Sequence, residues 1–187
     1  MRLGREHLAL THGLLALTLL WGCKPPASDD YLQRTEPQPE RDAPSAPIGS
    51  PDTQGALWAP GTQPMRLIYG QPGKHPLLSL ECDAGTLIYT RYVRADAHAK
   101  AVLALIGNGH VERLWIDAHE NGDAWLWRGT ISSADPRLEV LTGPNAIEAT
   151  VPGAGSVTLN PSRMPGELIR ACRQDLVAVP ARPEDPA

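Results

Sequence analysis

The sequence predicts a mainly β protein: a small antiparallel sandwich or barrel with a short C-terminal helix and one disulfide. From residue 61 onward, short runs rich in Val, Ile, Leu, Tyr and Trp alternate with Gly, Pro, Asn and Asp, which is the spacing of a compact β domain. Two Asn-Gly pairs separate neighbouring runs, and this dipeptide is typical of tight hairpin turns. Near the C-terminus, PGELIRACR has the apolar spacing of a short helix.

The N-terminus has the composition of an export signal over residues 1–22. Arg2 and Arg5 precede an apolar run that ends at Leu20-Trp21-Gly22-Cys23, and this run is too short to span a bilayer. The four residues resemble the lipobox of bacterial lipoproteins, with Trp21 larger than the usual residue at its position. The resemblance implies a diacylglyceryl group on the Cys23 thiol, cleavage before Cys23, and an acyl chain such as palmitate on the new amine. The alternatives are a plain secretory signal or an uncleaved anchor.

Residues 23–60 are expected to form a lipidated, Pro-rich tether without stable structure. Many of the 19 Pro in the chain lie in this part, among Asp, Glu and Ser. The part has little apolar material to bury, so it is not expected to fold. A spacer is the simpler interpretation and a recognition segment is the alternative. The folded domain is assigned to 61–178, and residues 179–187 are read as a flexible tail. A net charge of −4 without basic clusters argues against nucleic acid as a partner.

The domain is predicted to contain nine short strands, and their spacing leaves a sandwich and a barrel open. Residues 95–104 carry a competing signal, because this Ala-rich stretch also favours helix. The predicted strands are 65–69, 77–82, 86–93, 102–106, 111–117, 123–128, 138–142, 146–151 and 156–160.

The clearest supersecondary element is a hairpin over residues 111–129. Asn121-Gly122 suits a two-residue type I′ turn, which would place Glu120 opposite Asp123 and Trp115 opposite Arg128. A cation–π contact between Trp115 and Arg128 is then expected. The two-residue period of a strand assigns one set of side chains to the core: Leu114, Ile116, Ala118, Trp125 and Trp127. The other set faces outward: Trp115, Asp117, His119, Leu126 and Arg128. A second turn at Asn108-Gly109 would join the preceding strand.

The C-terminal helix is predicted over residues 165–173. Pro165 suits the first helical position, and Glu167 favours the positive end of the helix dipole. Leu168, Ile169 and Cys172 share one face, which leaves Arg170 and Arg173 outward.

With Cys23 assigned to the lipid, Cys82 and Cys172 remain as an even pair in an exported protein. An oxidising compartment favours a structural disulfide between them. Two separate buried thiols are the alternative, and the spacing does not fit a CxxC redox motif or a zinc site.

The outer face of the hairpin is the candidate partner surface. Trp115 and Leu126, with Trp58 as a further member, would form an apolar patch beside Arg128. A second sheet or the helix covering this face is the alternative. Asp117 and His119 point the same way along one strand and could act as a base with its orienter or as metal ligands. We interpret them as solvated residues near a turn, and we predict no cofactor and no bound metal.

The folded part is similar to small exported β proteins, such as lysozyme-inhibitor lipoproteins, in which a Cys on an early strand is bridged to one near the C-terminus. The similarity covers roughly residues 77–173 and concerns the fold rather than the activity. We therefore expect a lipid-anchored envelope lipoprotein of the cell membrane or outer membrane, facing the periplasm or the exterior. Its predicted role is non-enzymatic binding of an envelope protein or glycan, or support of an assembly. The first alternative is an inhibitor of an envelope or wall-degrading enzyme, acting through the loop at 107–110 or at 119–123. The second is a small hydrolase or metal-binding protein that uses Asp117 and His119.

Overall fold

The computed structural model describes residues 45–178 of the chain, and side chains as far as Asp175. The predicted signal, Cys23, most of the predicted tether and the 179–187 tail lie outside this range. No helix within it is long and apolar enough to cross a membrane. In chain order the strands are β1 Leu57–Pro60, β2 Arg66–Gly70, β3 Leu78–Asp83, β4 Thr86–Arg94, β5 Lys100–Gly107, β6 His110–Asn121, β7 Ala124–Ser132, β8 Ile147–Thr150 and β9 Ser156–Leu159. A 3₁₀ helix, Pro136–Leu141, precedes β8, and α1, Met164–Ala178, follows β9.

The nine strands form one antiparallel sheet that curls into a nearly closed barrel. Their order across the sheet is β1-β2-β3-β4-β7-β6-β5-β8-β9. The meander β1–β4 meets the meander β5–β7 where β4 pairs with β7, and the β8–β9 hairpin pairs with β5. Side chains join the two ends of the sheet: the Tyr69 hydroxyl donates to the Thr158 carbonyl at 2.7 Å. The Asn160 amide group donates to the Ala56 carbonyl at 2.7 Å. The predicted fold class, mainly β with a C-terminal helix and one disulfide, is confirmed.

The barrel interior is filled by large aliphatic side chains from successive strands. Strand alternation sends these side chains inward, and they are almost fully buried: Leu78, Leu80, Leu103, Leu105, Leu114, Ile116 and Leu159. The helix α1 packs against β2, β3, β4 and the 3₁₀ helix. Its buried face consists of Leu168, Ile169 and Cys172, as predicted. Cys172 forms a disulfide with Cys82 of β3, with a Cα–Cα distance of 5.6 Å.

Arg173 departs from the outward position predicted for it. Its Nε donates to the Ser133 carbonyl at 2.7 Å, and another guanidinium nitrogen donates to the Glu139 carboxylate at 2.9 Å. These contacts tie α1 to the segment between β7 and β8. The hydrogen bond from Arg173 also holds the pKa of Glu139 below its usual value.

The domain begins earlier than the composition predicts. The boundary at residue 61 is wrong, because strand β1 lies in the stretch assigned to the tether and pairs with β2. Its Trp58 is buried, and the Trp58 and Tyr69 ring centroids are 5.2 Å apart. Trp58 is the single buried residue of this short edge strand, so the surrounding Pro and polar residues dominate the composition.

The predicted strand at 138–142 is also wrong: this segment forms most of the 3₁₀ helix. The Asp135 side chain accepts from the Arg137 backbone N–H at 2.9 Å and caps the helix. Pro136 stands in its first turn, where its missing N–H costs nothing. Leu138, Val140 and Leu141 are buried, so the apolar pattern reflects packing of a short helix onto the barrel. The competing helix at 95–104 is absent, and the second half of that stretch, from Lys100, belongs to β5.

The hairpin register differs from the prediction by two residues. The turn residues are Gly122 and Asp123 rather than Asn121 and Gly122, and Asn121 lies opposite Ala124. Gly122 has φ +63°, as expected for the first central residue of a type II′ turn. Consequently Ala118 lies opposite Trp127 and Asp117 opposite Arg128, so the predicted pairing of Trp115 with Arg128 is wrong.

A shift of two residues leaves every side chain on its predicted face, because the strand period is two. Leu114, Ile116, Ala118 and Trp127 are buried, and Trp115 is 73% exposed. Trp125 is half-buried and packs against the edge of the core. The Asn108-Gly109 turn is confirmed, with φ of +50° and +81° at its two residues.

Candidate binding surface

The outer face of the β5–β6 hairpin carries an apolar strip that solvent reaches. Val102 lies opposite Trp115 and Ile106 lies opposite Val111, and the Ala104–Arg113 pair lies between these two pairs on the same face. Trp115 is 73% exposed, Val111 58% and Ile106 47%. Single exposed apolar residues are common, but an adjacent group of large ones is typical of a contact surface. We call Val102, Ile106, Val111 and Trp115 the Trp115 face.

The backbone beneath Trp115 is held firmly although its side chain is free. The Tyr89 hydroxyl, from the barrel interior, donates to the Trp115 carbonyl at 2.5 Å. Burial raises the pKa of Tyr89 to about 12, so this hydroxyl keeps its proton at neutral pH. Gly129 leaves room for the Tyr89 ring, since a Cβ there would overlap both that ring and the Trp115 carbonyl. The indole is therefore presented from a rigid strand.

The predicted partner residues are only partly brought together. Trp115 and Arg128 are both exposed on the outer face, and Leu126 is half-buried and lies opposite His119. Trp58 is not part of this surface, contrary to prediction. It is 6% exposed and packs on Tyr69 at the other end of the sheet, because β1 directs it inward.

Asp117 and His119 occupy the outer face of β6, as their spacing predicts. The Asp117 carboxylate lies 3.2 Å from the Lys100 ammonium, and Arg128 is its cross-strand neighbour. His119 is exposed near the end of the strand. Within residues 45–178, no three His, Cys, Asp or Glu side chains are grouped closely enough to hold a metal ion.

A groove of about 470 Å³ opens beside the start of β5, next to the Trp115 face. Trp115 and Trp127 both line it. Its volume results from small residues where larger ones would fill the space, and these are Ala46, Ala95, Ala99, Ala101, Gly153 and Ala154. The sequence pattern did not predict this groove. Its only signal was the Ala-rich stretch at 95–104, which we interpreted as a helix tendency.

The segment Ser45–Ser50 contributes one wall of the groove. The Ser45 backbone N–H donates to the Asp96 carboxylate at 3.0 Å, and its hydroxyl donates to the other carboxylate oxygen. These hydrogen bonds lower the pKa of Asp96. Further along, the Ile48 backbone N–H donates to the Gly153 carbonyl at 2.8 Å. The wall is therefore attached at both ends.

Two buried polar side chains lie near the groove with part of their hydrogen-bonding capacity unused. Arg91 and Trp127 are cross-strand partners and are 2% and 7% exposed. One Arg91 guanidinium nitrogen donates to the Leu77 carbonyl at 2.9 Å, and burial lowers the pKa of Arg91 to about 10. Neither Arg91 Nε nor Trp127 Nε1 has an acceptor among the described residues. Buried donors of this kind normally have partners.

Comparison of the chain with protein-family models, with curated proteins and with solved structures gave no match in any of the three.

Proposed function

We propose that this protein is a lipid-anchored envelope lipoprotein with a non-enzymatic role, which binds a protein partner through the Trp115 face. The exposed position of Trp115 beside Val102 carries the proposal, because large apolar side chains are rarely grouped in solvent without a partner. Tryptophan is also the side chain most enriched among residues that dominate binding energy. The rigid backbone under Trp115 supports this role, since a preorganised surface loses little entropy on binding.

Photocrosslinking in the native envelope tests this surface. A photoreactive residue at Val111 should give a covalent adduct with one predominant partner, which mass spectrometry identifies. Trp115→Ala in the same chain should reduce the yield strongly while leaving the amount of folded protein unchanged. Leu57 is a matched control, because it is also an exposed apolar strand residue, 49% exposed, but on the far edge strand. Equal adducts from Val111 and Leu57, or no adduct from Val111, would count against the proposal.

The lipid anchor has a separate test. We expect Cys23→Ser to leave an uncut precursor or to move the protein to the soluble fraction, because two or three acyl chains are needed for firm attachment. Fractionation with metabolic labelling by a palmitate analogue measures both outcomes. A Cys23→Ser chain that fractionates and migrates like the wild type, still labelled, would show that Cys23 is not the lipidated residue.

Inhibition of an envelope enzyme is the second candidate function. The turn at Gly107–His110 favours it, because the Asn108 side chain anchors the turn at two points. Its amide nitrogen donates to the Val140 carbonyl at 2.9 Å, and its oxygen accepts from the Asn145 backbone N–H at 2.9 Å. A turn held rigid in this way, with Gly109 and His110 exposed, suits insertion into an active site. His110→Ala should then abolish inhibition of wall hydrolysis by envelope extracts, whereas Glu120→Ala in the other turn should not.

A further inference from the structure

Strand β5 is longer than β8, the strand that pairs with its outer edge, and it extends past the end of β8. Its pairing with β8 runs from Gly107, opposite Ile147, to Ala104, opposite Thr150, and stops there. Continuing this register would place Val102 opposite Pro152. Proline has no N–H to donate, so the ladder cannot continue past this point in the same form.

The backbone of Lys100 and Val102 faces this vacated edge. The Ala118 backbone N–H donates to the Ala99 carbonyl at 2.8 Å. In an antiparallel pair, hydrogen-bonded residues alternate, so Ala101 and Leu103 also bond β6 and the intervening Lys100 and Val102 face away from it. Within the described chain, no backbone hydrogen bond from Lys100 or Val102 is formed on that side. An edge of this kind is a template for another strand.

The groove lies along this same edge of β5, and the charges at its rim favour one class of occupant. Lys100, Val102 and Trp127 are among its lining residues. The charges at its rim balance within the chain: the Lys100 ammonium lies 3.2 Å from the Asp117 carboxylate. The positive charge of Arg94 acts on the nearby Asp96 carboxylate, whose pKa it helps to lower. An occupant with a net charge would meet no unpaired opposite charge here, so the rim is complementary to an uncharged segment.

The Trp127 indole N–H, which donates to no acceptor within residues 45–178, also favours an uncharged peptide as the occupant. Its indole N–H lacks an acceptor among the described residues, and its ring lines the groove. Because Nε1 itself is shielded from solvent, a peptide carbonyl reaches this N–H only when the indole turns toward the groove. Apolar side chains of the peptide would fill the space beside the alanines. A simple hydrocarbon chain would satisfy neither this donor nor the edge amides.

We propose that the groove beside Lys100–Val102 binds an extended, uncharged, apolar peptide segment of a partner protein, which adds to β5 as a further strand where β8 ends. Binding by strand addition uses main-chain hydrogen bonds for affinity and pockets for alternate side chains for specificity. This inference rests on the proposed partner-binding function and locates a second, deeper part of the contact. Trp115 belongs to both, since it lines the groove and forms part of the exposed face.

The test uses the full chain in detergent and the acetylated, amidated heptapeptide Ser-Val-Thr-Val-Thr-Val-Ser as the probe. At a peptide concentration about ten times its Kd, amide hydrogen exchange at Lys100 and Val102 should slow about tenfold, because only the free fraction exchanges. The same peptide with alternate amides N-methylated should give no protection, since it cannot complete the ladder. Trp127→Phe keeps an aromatic ring without the N–H and should weaken binding about 2- to 10-fold.

A matched pair of variants isolates the edge. Val102→Pro removes the N–H that faces the groove, whereas Val102→Thr keeps it in a side chain of similar shape. Binding should be lost in Val102→Pro and retained in Val102→Thr. If Val102→Pro does not fold, the comparison of the normal and N-methylated peptides still decides the question.

Several outcomes would overturn the inference: no binding of the heptapeptide, equal binding of the N-methylated form, or protection at another strand. Dimerisation of the chain that Val102→Pro abolishes would make a second copy the occupant instead. If Val111 forms the crosslink but the heptapeptide does not bind, only the proposal that the groove binds a peptide strand is rejected. Peptide binding without a Val111 adduct would reject only the proposed Trp115-face function.

Discussion

Trp127→Ala is expected to lower the free energy of unfolding by about 3–5 kcal/mol, the range for removing a buried tryptophan. The Trp127 side chain is 7% exposed and belongs to the barrel core. Trp115→Ala should change the free energy of unfolding by only about 0.5 kcal/mol, as for most surface substitutions. The two residues are close along neighbouring strands but lie on opposite faces of the sheet. Urea denaturation of both variants measures the difference.

Trp127→Phe provides the control, because it keeps most of the buried ring and should lose much less stability than Trp127→Ala. The contrast between Trp127 and Trp115 tests the strand faces directly. If Trp115→Ala unfolds the domain while Trp127→Ala is tolerated, the faces are reversed and the Trp115 face is not a contact surface.

Loss of the Cys82–Cys172 disulfide should have a similarly large effect. Cys82→Ala and Cys172→Ala are each expected to cost about 2–5 kcal/mol of stability. The bridge joins residues 90 apart in the chain, and the chain-entropy model assigns a loop of this length about 4–5 kcal/mol. It also ties α1 to β3, so its loss should loosen the packing of Leu168 and Ile169 at the end of the barrel.

The double variant should cost little more than either single one, because each substitution removes the same bond. Chemical denaturation without reductant measures this, and the reduced wild type should match the variants. Labelling of both Cys82 and Cys172 by a thiol reagent in the native, unreduced domain would contradict the bridge.

The local features that the sequence predicts well have local causes. The Asn108-Gly109 turn is such a case, because both residues tolerate positive φ and both adopt it. The assignment of Trp127 to the core and Trp115 to the surface needs only the alternation of side chains along a strand. The disulfide prediction required only an even pair of cysteines in a chain predicted to be exported.

The errors have causes that lie elsewhere in the chain. Both Asn121-Gly122 and Gly122-Asp123 can form a tight turn, and the two registers place every side chain on the same face, so periodicity does not distinguish them. Trp58 lies in a polar, Pro-rich stretch, and only Tyr69 and the rest of the core show that it is buried. Leu138, Val140 and Leu141 have an apolar pattern that suits a strand as well as a 3₁₀ helix.

The sequence by itself determined that this protein is a β domain with a Cys82–Cys172 disulfide and with Trp115 on an outer face. Turn preferences and the alternation of side chains along a strand act over a few residues, so a local pattern is enough to predict them. The tertiary structure decided that the sheet curls into a nearly closed barrel, that β1 belongs to it, and that a groove opens beside Lys100 and Val102. Each of these depends on where distant strands begin and end: the groove exists because β8 stops at Thr150, before Pro152, while β5 continues to Lys100. Such pairings join residues far apart in the chain, so no local pattern at either end specifies them.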